Sequence, residues 1–360
     1  MTARSLDAAA RSRGTNFRWD RWLTLAIFLL ALLPFVPSLA NGFIWDDDRH
    51  VTGNAALRSL DGLYRMWFVR GTTPQYYPLV FTLFWIEFHL FGLTAAGYHA
   101  VNLLLHGANA VLLWRLLGKV GLGQRAAFLA AALWALHPVQ VETVDWIMEQ
   151  KNLLSTTFYF LSGGLLLRLY DFGTAVAPRR WWRVYAAALL LFVAALLSKS
   201  VTATLPAAFL LILWWRRGRI TLHDILRMVP FFVVGALSGL STAIMEQGLV
   251  GTGGQEWTLS PLQRLLLAGR AAAFYAGKLV WPWRLTFFYE HWDLQPAVWW
   301  QWLFPLVVLA VLAILVLLHR RIGRGPAAAF LFFVGTLFPA LGFLNVYPFR
   351  YSVVADHFQY

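Results

Sequence analysis

Apolar runs of about fifteen to twenty residues, separated by short polar or basic breaks, recur along almost the whole chain. A helix rises about 1.5 Å per residue, so roughly 20 such residues cross the hydrocarbon core of a bilayer. The first run, residues 22–40, follows Arg4, Arg11, Arg13, Arg18 and Arg21. It is too long for the core of a cleavable signal peptide, and the arginines place residues 1–21 in the cytoplasm as a basic tail. Residues 41–97 then read as a first external loop, broken by Gly42, Gly53, Gly62, Gly71 and Pro74. Within it, residues 77–91 are apolar but short and carry Glu87 and His89, which predicts a helix lying in the outer interface.

Further spans are predicted at 98–117, 126–136, 153–169, 184–197, 202–215, 229–245, 299–318 and 327–344, with a mobile glycine-rich loop at 247–255. Simple alternation fails at 262–281. Counting that run as a crossing would put His319, Arg320, Arg321 and Arg324 outside, against the usual bias of basic residues. Its own Arg264, Arg270 and Lys278 would also lie deep in lipid, so it reads as re-entrant or interfacial. The pattern predicts an all-α polytopic membrane protein of about nine to ten transmembrane helices, as one domain over residues 22–360.

Composition narrows the chemistry. Of 360 residues, 59% are hydrophobic and 13% charged, half the charge of a soluble domain. The net charge of +13 lies in short clusters between apolar runs, as topology signals and contacts to anionic lipid do, so no nucleic-acid partner is implied. The absence of cysteine excludes disulfides and thiolate chemistry. No phosphate-binding Walker loop, dinucleotide glycine fingerprint or Gly-x-Ser-x-Gly elbow occurs.

The polar residues that remain fall into clusters. Asp46, Asp47 and Asp48 are consecutive and just beyond the first span, where mutual repulsion needs water, a cation or hydrogen bonds to offset it. They read either as a solvated acidic loop or as a site, with a divalent cation at Asp46/Asp47 left open. His99, Asn102 and His106 share one helical face inside a span, for helix–helix hydrogen bonding or for acceptor contact. Glu142, Asp145 and Glu149 follow His137-Pro138 at the same spacing, as a solvated face or an acidic wall. Lys151, Lys199 and Arg350 each sit at an outer helix end, either snorkelling to headgroups or clamping a phosphate. With 262–281 kept outside, these clusters and 350–357 converge on one face and the basic runs on the other.

Taken in order, the stretches Phe43-Ile44-Trp45-Asp46-Asp47, Tyr77-Pro78-Leu79, Gly97-Tyr98-His99, His137-Pro138-Val139, Glu149-Gln150-Lys151-Asn152, Leu197-Ser198-Lys199 and Arg350 to His357 are familiar. They resemble the transmembrane half of the TMTC-like proteins and their bacterial relatives, within the GT-C glycosyltransferases. The tetratricopeptide-repeat region usual in that family is absent from these 360 residues. The resemblance implies a multi-pass enzyme of the bacterial inner membrane with an external or periplasmic site. It implies a polyprenyl-phosphate-linked sugar, mannose or another hexose, as donor and a protein hydroxyl as acceptor. Asp46 matches the catalytic base of the first external loop, with Asp47 as its partner. Arg350, Lys199 and Lys151 are then the donor-phosphate candidates, and His99, Asn102, His106, His137, Glu142, Glu149, Asp356 and His357 line the acceptor side or support it. A transporter or flippase of a lipid-linked solute, and an inactive membrane scaffold, are the alternatives.

Overall fold

The computed structural model describes residues 21–170, 180–249, 259–343 and 347–360. The basic residues Arg4 to Arg18 and most of the glycine-rich stretch 247–255 lie outside them. The described residues are helical without a strand. Among the described residues five helices are long and apolar enough to cross a membrane: α1 (Arg21–Ala40), α4 (Ala95–Val120), α8 (Trp181–Ser198), α10 (Leu222–Leu249, its qualifying stretch ending at Met245) and α12 (Leu303–Ile322), which with its leading 3-10 turn begins at Trp299. A sixth arises if α5 (Gln124–Ala135) is joined to the segment Pro138–Asp145, bent by 50° at His137-Pro138. The expected total is higher because α7 (Gln150–Leu169), α9 (Leu205–Arg217) and α13 (Gly325–Leu337) are shorter or open on polar residues. They pack among the long helices.

Polar residues inside α4 turn away from lipid, because an unsatisfied donor in hydrocarbon costs several kcal/mol. His99, Asn102, His106 and Asn109 are all buried. Close approach of α1 to α4 is permitted by Gly107, where a Cβ would lie 2.4 Å from the Leu32 side chain. At the other extreme α12, the most apolar of these five, buries no residue between Leu303 and Ile322; its leucines and valines face outward as lipid solvates them.

The basic ends gather on one face. Arg216 at the end of α9 lies against Gly121 after α4, and Arg324 before α13 lies against Gly218 after α9. Arg217 donates to the Tyr170 carbonyl after α7 (3.1 Å). The opposite ends carry the irregular polar segments. There, α2 (Leu60–Phe68) and α3 (Pro78–Phe91) pack against each other; α3, about 21 Å long, is too short to span the hydrocarbon core.

Helix α11 (Pro261–Val280) is continuous and capped by Ser260 and Gln263 in a reciprocal box. Near its start Arg264 donates to the carbonyls of Gly342 (2.8 Å) and Phe343, just past α13. At its middle Gly269 sits on Pro305, at the beginning of α12. At its end the Leu279 carbonyl accepts from His137 Nε2 (3.1 Å), beyond α5. All three partners are ends remote from the basic face, so α11 runs along the polar face instead of through to the other one.

Candidate functional site

Asp46 and Asp47 are neighbours with opposite environments. The Asp47 carboxylate is fully buried and accepts two backbone N–H groups, from Ile44 and from Met148, each at 2.9 Å. The first closes a tight turn; the second ties that turn to the segment preceding α7. Between them Trp45 takes a positive φ of 47°, costly for a bulky residue and held by the two anchors. Burial pushes the Asp47 carboxyl up to about 7, against the pull of its backbone donors.

Asp46 is left facing outward from the turn, its side chain about one-quarter exposed. His50, in the single π turn that follows, donates from Nδ1 to the Asp46 carbonyl (2.7 Å), and its ring lies 3.7 Å from Asp46 Oδ2. Asp46 Oδ1 is buried and has no hydrogen-bond partner among the described residues. Desolvation raises the Asp46 carboxyl above the ordinary range, with Lys151 pulling the other way. The turn thus holds a partly exposed carboxylate whose buried oxygen has no donor among the described residues.

Trp45 is the wall beside it. Its ring meets Trp146 (5.3 Å), Phe287 (5.3 Å), Phe288 (5.1 Å) and Tyr351 (5.1 Å), from three distant parts of the chain. Three of these contacts are edge-to-face, a preferred ring geometry that fixes the orientation of Trp45. Arg350 is exposed, one residue from Tyr351, so its segment reaches the Asp46 turn although its guanidinium makes no ion pair among the described residues.

Behind the wall is a buried charge cluster around Glu149. Its carboxylate lies 2.8 Å from Lys151 Nζ, 3.4 Å from Lys199 Nζ and 3.9 Å from His357 Nε2. Asn152 donates to Glu149 and to the His357 carbonyl. Glu142 accepts from both the backbone N–H (2.9 Å) and Nδ1 (2.8 Å) of His357. Burial alone would raise Glu149; His357 and the two lysines outweigh it and hold its pKa well below the carboxylate range. Lys199, buried between charges of both signs, is lowered to about 8. Lys151 is raised despite burial, because Glu149 and Asp46 both favour its charge. Its ammonium also sits 5.5 Å from the Trp146 ring.

The remaining sequence-derived residues are supports. Asn102 donates to the carbonyls of Val144 and Trp146, orienting the segment before Glu149. His106 donates from Nε2 to the Ala135 carbonyl (3.0 Å), which leaves Nδ1 to accept from the Tyr360 hydroxyl (3.0 Å). His99 is buried beside the backbone of Asn41 and Gly42. His137 lies apart from Asp46, at the α5–α11 junction. Asp356 accepts from the Tyr289 hydroxyl (3.1 and 2.9 Å) and is pushed by burial up to about 6.

Three contacts escaped the sequence reading, although Glu87, Gln150 and Asp145 were themselves in view. Gln150 donates to Glu87 Oε1 (2.7 Å) and to Asn102 Oδ1 (3.1 Å), locking α3 to α4 and α7. Tyr360 docks on Asn109 and His106, and Asp145 accepts from Ser38. Glu87, a carboxylate in an apolar helix, was the one visible signal. As for a cation at Asp46/Asp47, both Asp47 oxygens are already engaged by backbone N–H groups, and among the described residues no group of three or more His, Asp or Glu side chains is placed to hold a metal ion. The pair does not fit a chelate.

Against known proteins, the chain is similar to the protein O-mannosyl-transferase TMTC4 of Mus musculus, 29% identical over 39% of this chain and 22% of the relative. It is also similar to Tmtc1 of Drosophila melanogaster (32%, over 37% and 16%) and to F38B6.6 of Caenorhabditis elegans (27%, over 37% and 21%), both named protein O-mannosyl-transferases. The resemblance to the TMTC-like family is borne out over about two-fifths of the chain. The matched region spans about a fifth of the length of these curated relatives. No family model and no solved structure matches.

Proposed function

We propose that this chain is a GT-C-type membrane glycosyltransferase that moves a hexose, mannose by analogy with its relatives' names, from a polyprenyl-phosphate carrier to a serine or threonine hydroxyl of a protein. The site face is external or periplasmic in this reading, and the N-terminus cytoplasmic. One observation carries it: the Asp46 side chain, about one-quarter exposed and with a buried oxygen that no donor satisfies, sits beside an aromatic wall with cations behind it.

Little chemistry is needed, since a lipid phosphate is already a good leaving group. Asp46 takes the proton of the acceptor hydroxyl as that oxygen bonds to the anomeric carbon. The carbon–oxygen bond to phosphate breaks at the same time, and its electron pair leaves on the phosphate. Single displacement inverts the anomeric centre through an oxocarbenium-like state. A raised carboxyl is a stronger base than an ordinary one, and desolvation supplies that here. Asp47 fixes the turn and does not touch substrate. Lys151 and Lys199 supply positive potential held by Glu149, and exposed Arg350 is free to meet the departing phosphate.

The test is Asp46→Asn in purified, lipid-reconstituted full chain, with a radiolabelled polyprenyl-phosphate mannose and a Ser/Thr-rich peptide. Transfer should fall by about 10²- to 10⁴-fold, the usual worth of a general base, with unfolding temperature unchanged. Transfer at the parent rate would remove Asp46 from the chemistry.

A further inference from the structure

A base must be held at an angle to its target, and the Asp46 carboxylate has little of its own to hold it. Asp46 Oδ1 finds no donor among the described residues, and Oδ2 lies 3.7 Å from His50 Nδ1, beyond hydrogen-bond reach. The restraint sits one step back, on the main chain. Three donors converge on the Asp46 carbonyl: the backbone N–H of Arg49 (3.0 Å), the backbone N–H of His50 (3.1 Å) and His50 Nδ1, the shortest at 2.7 Å. The two backbone bonds come with the turn whatever the side chains are. The third needs the side chain of residue 50, and the single π turn brings it there, a rare geometry that gathers at functional sites.

The ring that makes this bond is itself fixed. It is buried and lies parallel to Phe81 of α3, with centroids 6.0 Å apart and planes at 14°. A carbonyl can only accept, so Nδ1 carries the proton, and Nε2, buried and without a partner among the described residues, is the acceptor of a neutral ring. Desolvation keeps the ring neutral by lowering its pKa to about 4. Neutrality suits the position. A cation at 3.7 Å would favour the ionised carboxylate and weaken it as a base, whereas an uncharged imidazole orients its neighbour without doing so.

We propose that His50 is a positioning residue for the transfer: by gripping the Asp46 carbonyl and setting its ring edge against Oδ2, it holds the Asp46 carboxylate toward the acceptor hydroxyl. His50 touches no reacting atom, and its role rests on the reading of Asp46 as base.

Asn54 points to the variant that tests it, since its amide donates to the carbonyl four residues back (3.0 Å), as His50 does. His50→Asn keeps a donor for the Asp46 carbonyl; His50→Phe keeps a ring against Phe81 and loses the donor. Both are assayed in the lipid-reconstituted full chain with radiolabelled polyprenyl-phosphate mannose and the Ser/Thr-rich peptide. His50→Phe should lower kcat roughly thirtyfold, within what a misplacement of about 1 Å costs, with KM for the peptide and the unfolding temperature near the parent's. His50→Asn should recover most of that loss. Should His50→Phe fail to fold, His50→Leu takes its place with the same expectation. A parent-like kcat without the donor would overturn the assignment. So would equal losses in the Asn and Phe variants, or a rise in KM that accounts for the whole effect. The two readings fail separately: a silent Asp46→Asn removes the base and His50 with it, whereas loss of transfer in Asp46→Asn beside a silent His50→Phe removes His50 alone.

Discussion

The two faces of this molecule use charge in contrasting ways. On the basic face, arginines lie at helix ends and over aromatic rings: Arg227 between Tyr170 and Trp181, Arg183 on Trp182, Arg115 on Trp114. The ion pair there, Arg217 to Asp224 at 3.4 Å, joins a one-third exposed arginine to a buried carboxylate that Thr221 also holds. On the site face, Glu149, Lys151 and Lys199 are withdrawn from water and neutralise one another inside the bundle. Charge at the first face is carried mostly by arginines at helix ends and over rings, where it is cheap to hold. Charge at the second is expensive to bury, and such expense is found where chemistry or recognition needs a preset field.

Removing the hub of the buried cluster should give the largest effect. Glu149→Ala leaves two buried ammonium groups without their shared counter-ion, which costs about 3–5 kcal/mol. Thermal unfolding in detergent should show it as a large drop in Tm, and a drop no larger than that of a surface variant would mean the cluster is wetter than drawn.

A second test uses pH. The buried Asp47 carboxyl titrates near 7 in the fold but in the ordinary carboxylate range, near 4, when unfolded. Between those values the folded state holds a proton that the unfolded state has released. Stability therefore falls as pH rises from about 4 through 7, by about 1.4 kcal/mol for each unit separating the two pKa values. Asp47→Asn cannot ionise and should flatten that slope in a series of Tm measurements against pH. An unchanged slope would assign it to another group.

The smallest effect belongs to the other face. Arg217→Gln should cost less than Glu149→Ala, because Thr221 still donates to Asp224 from its N–H and its hydroxyl, and should leave the proposed sugar transfer alone. A loss of transfer there would erase the contrast between the faces.

Much of this was legible from residue order. His99, Asn102 and His106 share a face at three-and-four spacing, and the structure buries that face. Basic runs at 115–119, 216–219 and 320–324 forecast one gathered face, and contacts between those helix ends provide it. What could not be read was the division of labour between adjacent residues. Asp46 and Asp47 are chemically identical, and only the two N–H groups that capture Asp47 separate the anchor from the proposed base. Glu149 likewise looked like one acid of three on a helix face until Lys199 and His357, 50 and more than 200 residues away, arrived beside it.

The sequence by itself determined the solvent this chain lives in, its helices and its two-faced charge pattern. These follow from local periods and composition, which each segment carries alone. Only tertiary structure decided which carboxylate is free and which cations are spoken for. Those properties depend on burial and on partners brought together from remote positions, and desolvation acts on the assembled site, never on a residue in isolation.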